Sequence, residues 1–226
     1  MKIYGRHAAF EALKNPKREV IEIFVDHGDI LDPSLRSGRR NIKVVDINKK
    51  FPQFQNHQGI VIEVKPLPVP HIESLTRQVL ILDQITDPQN LGAIVRSAAA
   101  FGIEAIITQE YQGLLESSVM ARVASGGLEH VHLIPVVNIT RAIETLKEQE
   151  YWVYGLTEEG NEELSKIKFS QKSAVVVGAE GKGIRPLVLK NCDFKVKIKT
   201  NDQFPILNAS HATSIALYQM TLPSSS

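Results

Sequence analysis

The stretch Val79-Leu80-Ile81-Leu82-Asp83-Gln84-Ile85-Thr86-Asp87-Pro88-Gln89-Asn90-Leu91-Gly92-Ala93-Ile94-Val95-Arg96-Ser97 decides the fold. Four long or branched aliphatic residues run without alternation, a polar turn follows, and apolar residues then recur at helical spacing in Leu91, Ile94 and Val95. A strand that is apolar at every position is buried on both faces, and a strand that feeds a helix is the unit of a parallel α/β sheet. The pattern continues downstream, with apolar runs at 105–108, 131–136, 152–156, 174–178 and 194–198. Helices are predicted at 91–101, 116–124, 140–150 and 208–220. The expectation is an α/β domain over residues 76–226, a parallel sheet with helices on either side.

Upstream, Lys65-Pro66-Leu67-Pro68-Val69-Pro70 places prolines at alternate positions, which stiffens the backbone and excludes a helix or central strand. Residues 67–75 are therefore expected to be a linker, with a small α/β unit at 1–66. That unit has a predicted helix at 7–14 and strands at 20–25, 42–45 and 59–64, and a basic loop carries Arg36, Arg39 and Arg40. The net charge of +1 hides an asymmetry: the first 66 residues hold 12 Lys and Arg against 8 Asp and Glu, the remainder 14 against 17. The positive excess sits where phosphate contacts would be useful, though a solvated surface accounts for it equally well.

With 43% apolar and 23% charged residues, the 226-residue chain has the composition of a globular protein with a full core. No apolar segment follows the basic start as in a signal peptide, and none is long enough to span a bilayer, so the chain is read as cytoplasmic with no membrane partner. The lone Cys192 can form no internal disulfide or thiolate cluster and reads as a small buried residue. His130 and His132 are expected on one face of a strand without a third ligand, so no metal is expected.

Ligands of doubly wound sheets bind beyond the carboxyl ends of the strands. Three loops stand out there. In the first, Asn90 could cap the helix and Arg96 could be a surface charge. The second, Val177-Gly178-Ala179-Glu180-Gly181-Lys182-Gly183-Ile184, lets backbone approach a ligand closely. It is not a P-loop, because Val176 and Gly183 stand where a glycine and a Ser or Thr are needed. No G-x-G-x-x-G follows the first strand, which disfavours a dinucleotide-dependent oxidoreductase. In the third, Ile198-Lys199-Thr200 through Ile206-Leu207-Asn208-Ala209-Ser210-His211-Ala212, either Asn208 or Ser210 could cap a helix.

Taken together, the three loops resemble the signature motifs of the SpoU (TrmH-like) family of RNA methyltransferases. Asn90 and Arg96 match the first motif, Glu180 the second, and Asn208 with Ser210 the third. Tyr4-Gly5-Arg6-His7-Ala8 and His57-Gln58-Gly59-Ile60 resemble the family's substrate-binding domain, and the pairing is most similar to the branch that methylates a guanosine ribose in 23S ribosomal RNA. The resemblance implies an α/β fold of SPOUT type with a deep trefoil knot, preceded by a small α/β RNA-binding domain. It implies S-adenosylmethionine as cofactor, RNA rather than DNA as substrate, and a homodimer with active sites at the subunit interface. By position it assigns catalysis to Asn90, Arg96, Glu180, Asn208 and Ser210, and cofactor binding to Leu156, Thr157, Gly178, Ile198 and Leu207. RNA contacts are expected from Arg6 in the resembling stretch and, on the charge asymmetry, from Arg36, Arg39 and Arg40 of the basic loop. The sequence departs from the family pattern at Lys199, Ile206 and His211, where a proline, a serine and a small apolar residue are usual. Methylation of transfer RNA and a non-enzymatic RNA-binding role are the competing readings; retention of all five motif residues argues against the second.

Overall fold

The computed structural model describes residues 1–36, 41–111, 113–115, 117–201 and 203–222. The first third of the chain runs β1 (Lys2–Tyr4), α1 (Arg6–Lys14), β2 (Val20–Val25), α2 (Pro33–Arg36), β3 (Ile42–Val44), α3 (Ile47–Lys50) and β4 (Ile60–Val64). Its strands form a sheet of order β1-β4-β2-β3, antiparallel except for the β2–β3 pair. Alternation sorts the side chains: Ile3, Ile23, Val25, Ile60 and Ile62 share a core with α1, while Tyr4, Phe24 and Val61 face Ile47 and Phe51. Arg36 lies in the short helix α2 rather than in the predicted loop, because Asp32 accepts from the Ser34 and Leu35 amides and so starts a helical turn. The expected RNA contacts Arg39 and Arg40 lie outside the described residues.

The remainder runs β5 (Val79–Asp83), α4 (Pro88–Ala100), β6 (Ala105–Gln109), α5 (Ser118–Ala124), β7 (His132–Val136), α6 (Ile139–Glu148), β8 (Trp152–Leu156), β9 (Glu162–Glu163), β10 (Ser173–Gly178), α7 (Pro186–Lys190), β11 (Phe194–Lys197) and α8 (Ala209–Thr221). Seven strands form one sheet, order β7-β6-β5-β10-β8-β11-β9, and every pairing is parallel. Parity explains the unbroken apolar runs. Leu80, Leu82, Val175 and Val177 pack toward α4 and α8, whereas Val79, Ile81, Ala174 and Val176 pack toward α6.

Helix α4 starts at Pro88, three residues earlier than expected, because Asp87 caps it by accepting from the Gln89 and Asn90 amides and proline suits the first turn. Gly92 lets α5 approach: a Cβ there would stand 2.7 Å from the Met120 carbonyl oxygen. His130 is not on a strand as expected but follows a 3-10 turn at Gly127–Glu129, and its Nε2 pairs with Glu11 at 3.2 Å. The α1 core is continuous with the α4 core. Across that seam Arg18 and Glu129, both with side chains 3% exposed, form an ion pair at 2.7 Å. Among the described residues, no helix is long and apolar enough to cross a membrane.

Candidate active site

Helices α4 and α8 start side by side, and Asn208 ties their origins together. As the N-cap of α8, its Oδ1 accepts from the Ser210 amide at 2.8 Å and from the Ser210 hydroxyl at 2.6 Å. Its Nδ2 donates to Asn90 Oδ1 at 3.2 Å and to Glu180 Oε2 at 3.0 Å. One amide thus joins four of the five expected catalytic residues, drawn from three loops. Asn90 is available for this contact because Asp87, not Asn90, caps α4. About two helical turns beyond Asn90, the Ser97 hydroxyl meets that of Ser214 on α8 at 2.9 Å.

The fifth residue faces elsewhere. Arg96 follows Asn90 by six positions, about 240° around the helix axis, and is exposed on the side of α1 and Gly127. Among the described residues its guanidinium has no hydrogen-bond or ion-pair partner. Within a single chain, Arg96 and the Asn208 network are therefore on separate faces of α4.

Beyond the carboxyl ends of β8, β10 and β11 lies a cleft of about 900 Å³. Leu156, Thr157, Gly178, Ile198 and Leu207 all line it, as do Glu180 and Lys199. Gly178 is required by close approach: the loop folds back over it, and a Cβ would fall 2.1 Å from the Gly183 carbonyl carbon. The turn closes through the Gly183 amide donating to the Ala179 carbonyl at 2.8 Å, with Gly181 and Gly183 both at positive φ.

A pair without an assigned role in the sequence fixes this loop. Asp83 ends β5, is fully buried, and accepts from the Arg185 amide and Nε, each at 2.8 Å, while the guanidinium NH2 stands 2.6 Å away. Hydrogen bonding to Asp83 pushes the Arg185 guanidinium above its usual range. The pair anchors the loop carrying Glu180 to the strand that leads into α4. Its only sequence signal was an acidic residue closing an otherwise apolar strand. Of the expected RNA contacts, Arg6 is exposed with Nε 3.4 Å from the Gln58 carbonyl, and Arg36 is exposed with NH1 3.4 Å from the Gly28 carbonyl. The two stand apart from the cleft lining.

Comparison with known proteins assigns this architecture. The model of the SpoU rRNA Methylase family matches residues 77–218, and that of RNA 2'-O ribose methyltransferase substrate binding matches residues 2–70. The chain belongs to the SpoU rRNA methylase family. Among relatives of this SpoU methylase, a tRNA/rRNA methyltransferase of Synechocystis sp. is 34% identical over 96% of the chain, which spans 61% of that relative's length. A 23S rRNA (guanosine-2'-O-)-methyltransferase RlmB of Yersinia pestis is 33% identical, covering 96% of the chain and 95% of the relative. The solved structure of the SpoU methyltransferase AviRb from Streptomyces viridochromogenes, in complex with AdoMet, superposes with TM-score 0.84 at 19% identity, covering 98% of this chain and 89% of that one. In this SpoU methylase the departures from the family pattern sit at the rim: Lys199 lines the cleft, while Ile206 and His211 are exposed.

Proposed function

We propose that this chain transfers a methyl group from S-adenosylmethionine to the ribose 2'-hydroxyl of a nucleotide in structured RNA, a guanosine of 23S ribosomal RNA. The observation that carries the reading is the Asn208 amide, which gathers Asn90, Glu180 and Ser210 beside the cleft. The cleft suits the cofactor. Leu156, Ile198 and Leu207 offer apolar walls for an adenine, Gly178 keeps backbone within reach, and Glu158, Glu159 and Glu163 supply negative charge for an ammonium and a sulfonium. When bound, that group supplies an electrophilic methyl. The protein's residues would then position the ribose: Asn90 and Ser210 through hydrogen bonds, Glu180 by holding Asn208 in register. The Arg96 guanidinium is a poor base but a good stabiliser of developing oxyanion charge, and its planar fork suits phosphate.

We further read the chain as a cytoplasmic homodimer. A second copy would bring together Arg96 and the Asn208 network, and Ile215 and Tyr218 on α8 are 41% and 56% exposed, an apolar face that one chain leaves uncovered. A deep trefoil knot belongs to the same reading. After β11 the chain must return past the ends of β8 and β10 to lay α8 against α4, and stretching the protein from both ends should leave it short of its full contour length. The function itself is tested by mapping ribose methylation across ribosomal and transfer RNA in cells with and without the gene. Loss of one 23S guanosine methylation is expected. Loss confined to transfer RNA would support the competing substrate suggested by the Synechocystis relative's name, and no change in either would reject the proposal.

A further inference from the structure

The chain enters α8 through residues 203–207, where side chains alternate between two sides. Pro205 and Leu207 line the cleft, whereas Phe204 and Ile206 point away from it and are 73% and 61% exposed. Their backbone is held from both directions. The Phe204 amide donates to the Asn201 carbonyl at 3.0 Å and the Gln203 amide to Asn201 Oδ1 at 2.9 Å, an asparagine-led turn. On the other side Pro205 confines the residue before it to extended backbone. Asn208, next in the outward-facing alternation, carries the amide that joins Asn90 and Glu180. A firmly mounted phenyl ring and a branched aliphatic chain thus form an apolar ledge that runs up to the proposed ribose site, and the cleft makes no use of it.

We propose that Phe204 stacks on an unpaired nucleobase flanking the methylated nucleotide, with Ile206 extending the same apolar ledge. The inference rests on the methyltransferase reading and deepens it by naming a residue that selects the substrate. Every base has a π-face, so an exposed ring grips any unstacked base without reading its edge. A base inside a duplex is already stacked on both faces and offers the ring nothing; the ledge therefore favours RNA that is single-stranded beside its target. Strand rise puts Phe204 about 13 Å along the chain from Asn208, a span that suits a neighbouring nucleotide rather than the one whose ribose is held there. Lys199, exposed and without an ion-pair partner among the described residues, adds positive charge on the same loop. A second copy of the chain is the poorer occupant: an aromatic side chain buries at most about 250 Å², and a stable interface needs about 800 Å² from each partner.

The test uses the full chain and a 23S ribosomal RNA transcript, with Phe204→Ala, Phe204→Leu and Phe204→Trp. Phe204→Ala should weaken RNA binding about tenfold, within the range for loss of one base–aromatic stack. Phe204→Leu should be nearly as weak, because it keeps apolar area but has no π-face. Phe204→Trp should bind at least as tightly as the parent, and RNA should quench its emission. The parent's Trp152, at the end of β8 remote from the cleft, is the control and should not respond. The salt slope of binding should match the parent's in all three, since no phosphate contact is lost, and affinity for S-adenosylhomocysteine should not change, since the ring faces away from the cleft. Parental RNA affinity in Phe204→Ala or Phe204→Leu would overturn the proposal. So would weaker RNA binding accompanied by a fall from dimer to monomer in sedimentation, which would assign the ledge to a second copy. Both of these results leave the functional reading standing if the parent binds RNA and S-adenosylhomocysteine; a parent that binds neither would overturn both.

Discussion

Asn208→Asp separates the two jobs of one side chain. The substitution keeps the oxygen that caps α8, and a carboxylate at a helix N-terminus is favourable by about 0.3–1 kcal/mol. It replaces the donating Nδ2 by an oxygen facing Asn90 Oδ1 at 3.2 Å and Glu180 Oε2 at 3.0 Å. Two hydrogen bonds of about 1 kcal/mol each are lost, and a like-charge contact worth about 1 kcal/mol in water is gained, the value that applies because the Glu180 contact is exposed. The assembled arrangement therefore loses about 3 kcal/mol, roughly a hundredfold in rate if assembly is what methyl transfer needs. Asn208→Ala loses the same two donors without the repulsion, and also the cap, about 1 kcal/mol or ~2–4 °C in melting temperature. The expected signature is an inversion: Asp is the more stable variant and the slower enzyme. Single-turnover transfer of a tritiated methyl group to RNA, alongside thermal melting, reads both quantities. Parental turnover by Asn208→Asp would show that the residue is a helix cap and nothing more.

Arg96→Ala should slow single-turnover methylation at least about a hundredfold while leaving cofactor affinity intact, since Arg96 is not part of the cleft lining; Arg96→Lys should be similarly impaired for want of the planar fork, and calorimetry with S-adenosylhomocysteine checks the binding arm. Gly178→Ala should abolish cofactor binding, because its Cβ cannot coexist with the Gly183 carbonyl carbon 2.1 Å away and the loop must move. Burial pushes the Cys192 thiol up to about 12, so native protein should resist alkylation at pH 8 and react fully once unfolded. Because the folded thiol titrates above its ordinary value near 9, the stability this group contributes is complete below pH 9 and is lost as pH rises toward about 12; an alkaline melt of Cys192→Ala without that loss is the check.

The strands were legible because their signal is composition: β8 at 152–156 and β2 at 20–25 have the expected bounds, since branched aliphatic and aromatic residues dominate both. Helix ends were less so. Asn90 looked like a cap, yet Asp87 won because the Pro88 that follows it fixes the first turn. Short elements such as α3 and α7 carry too few residues for a periodic pattern. The site was legible only as three separate loops; each had a sufficient local explanation, and what joins them is a hydrogen bond spanning 118 positions that no local pattern encodes. The Asp83–Arg185 and Arg18–Glu129 pairs were invisible for the same reason, with separations of 102 and 111 residues. Placing Arg96 away from the Asn208 network needed the helix phase together with knowledge of which face α8 covers.

The strand order has a consequence for synthesis. β5 lies between β6 and β10, and Ala174 of β10, the partner of Val79 in β5, is made 95 residues later. The cleft then waits for Leu207 and Ala212, on either side of the start of α8. Partial chains thus hold an open, apolar edge beside β5 and an incomplete cleft, so a nascent polypeptide cannot transfer a methyl group before α8 is made. Competence arrives only once α8 has emerged and docked on α4, and slow closure of so long a loop makes that step the stage at which a chaperone would matter.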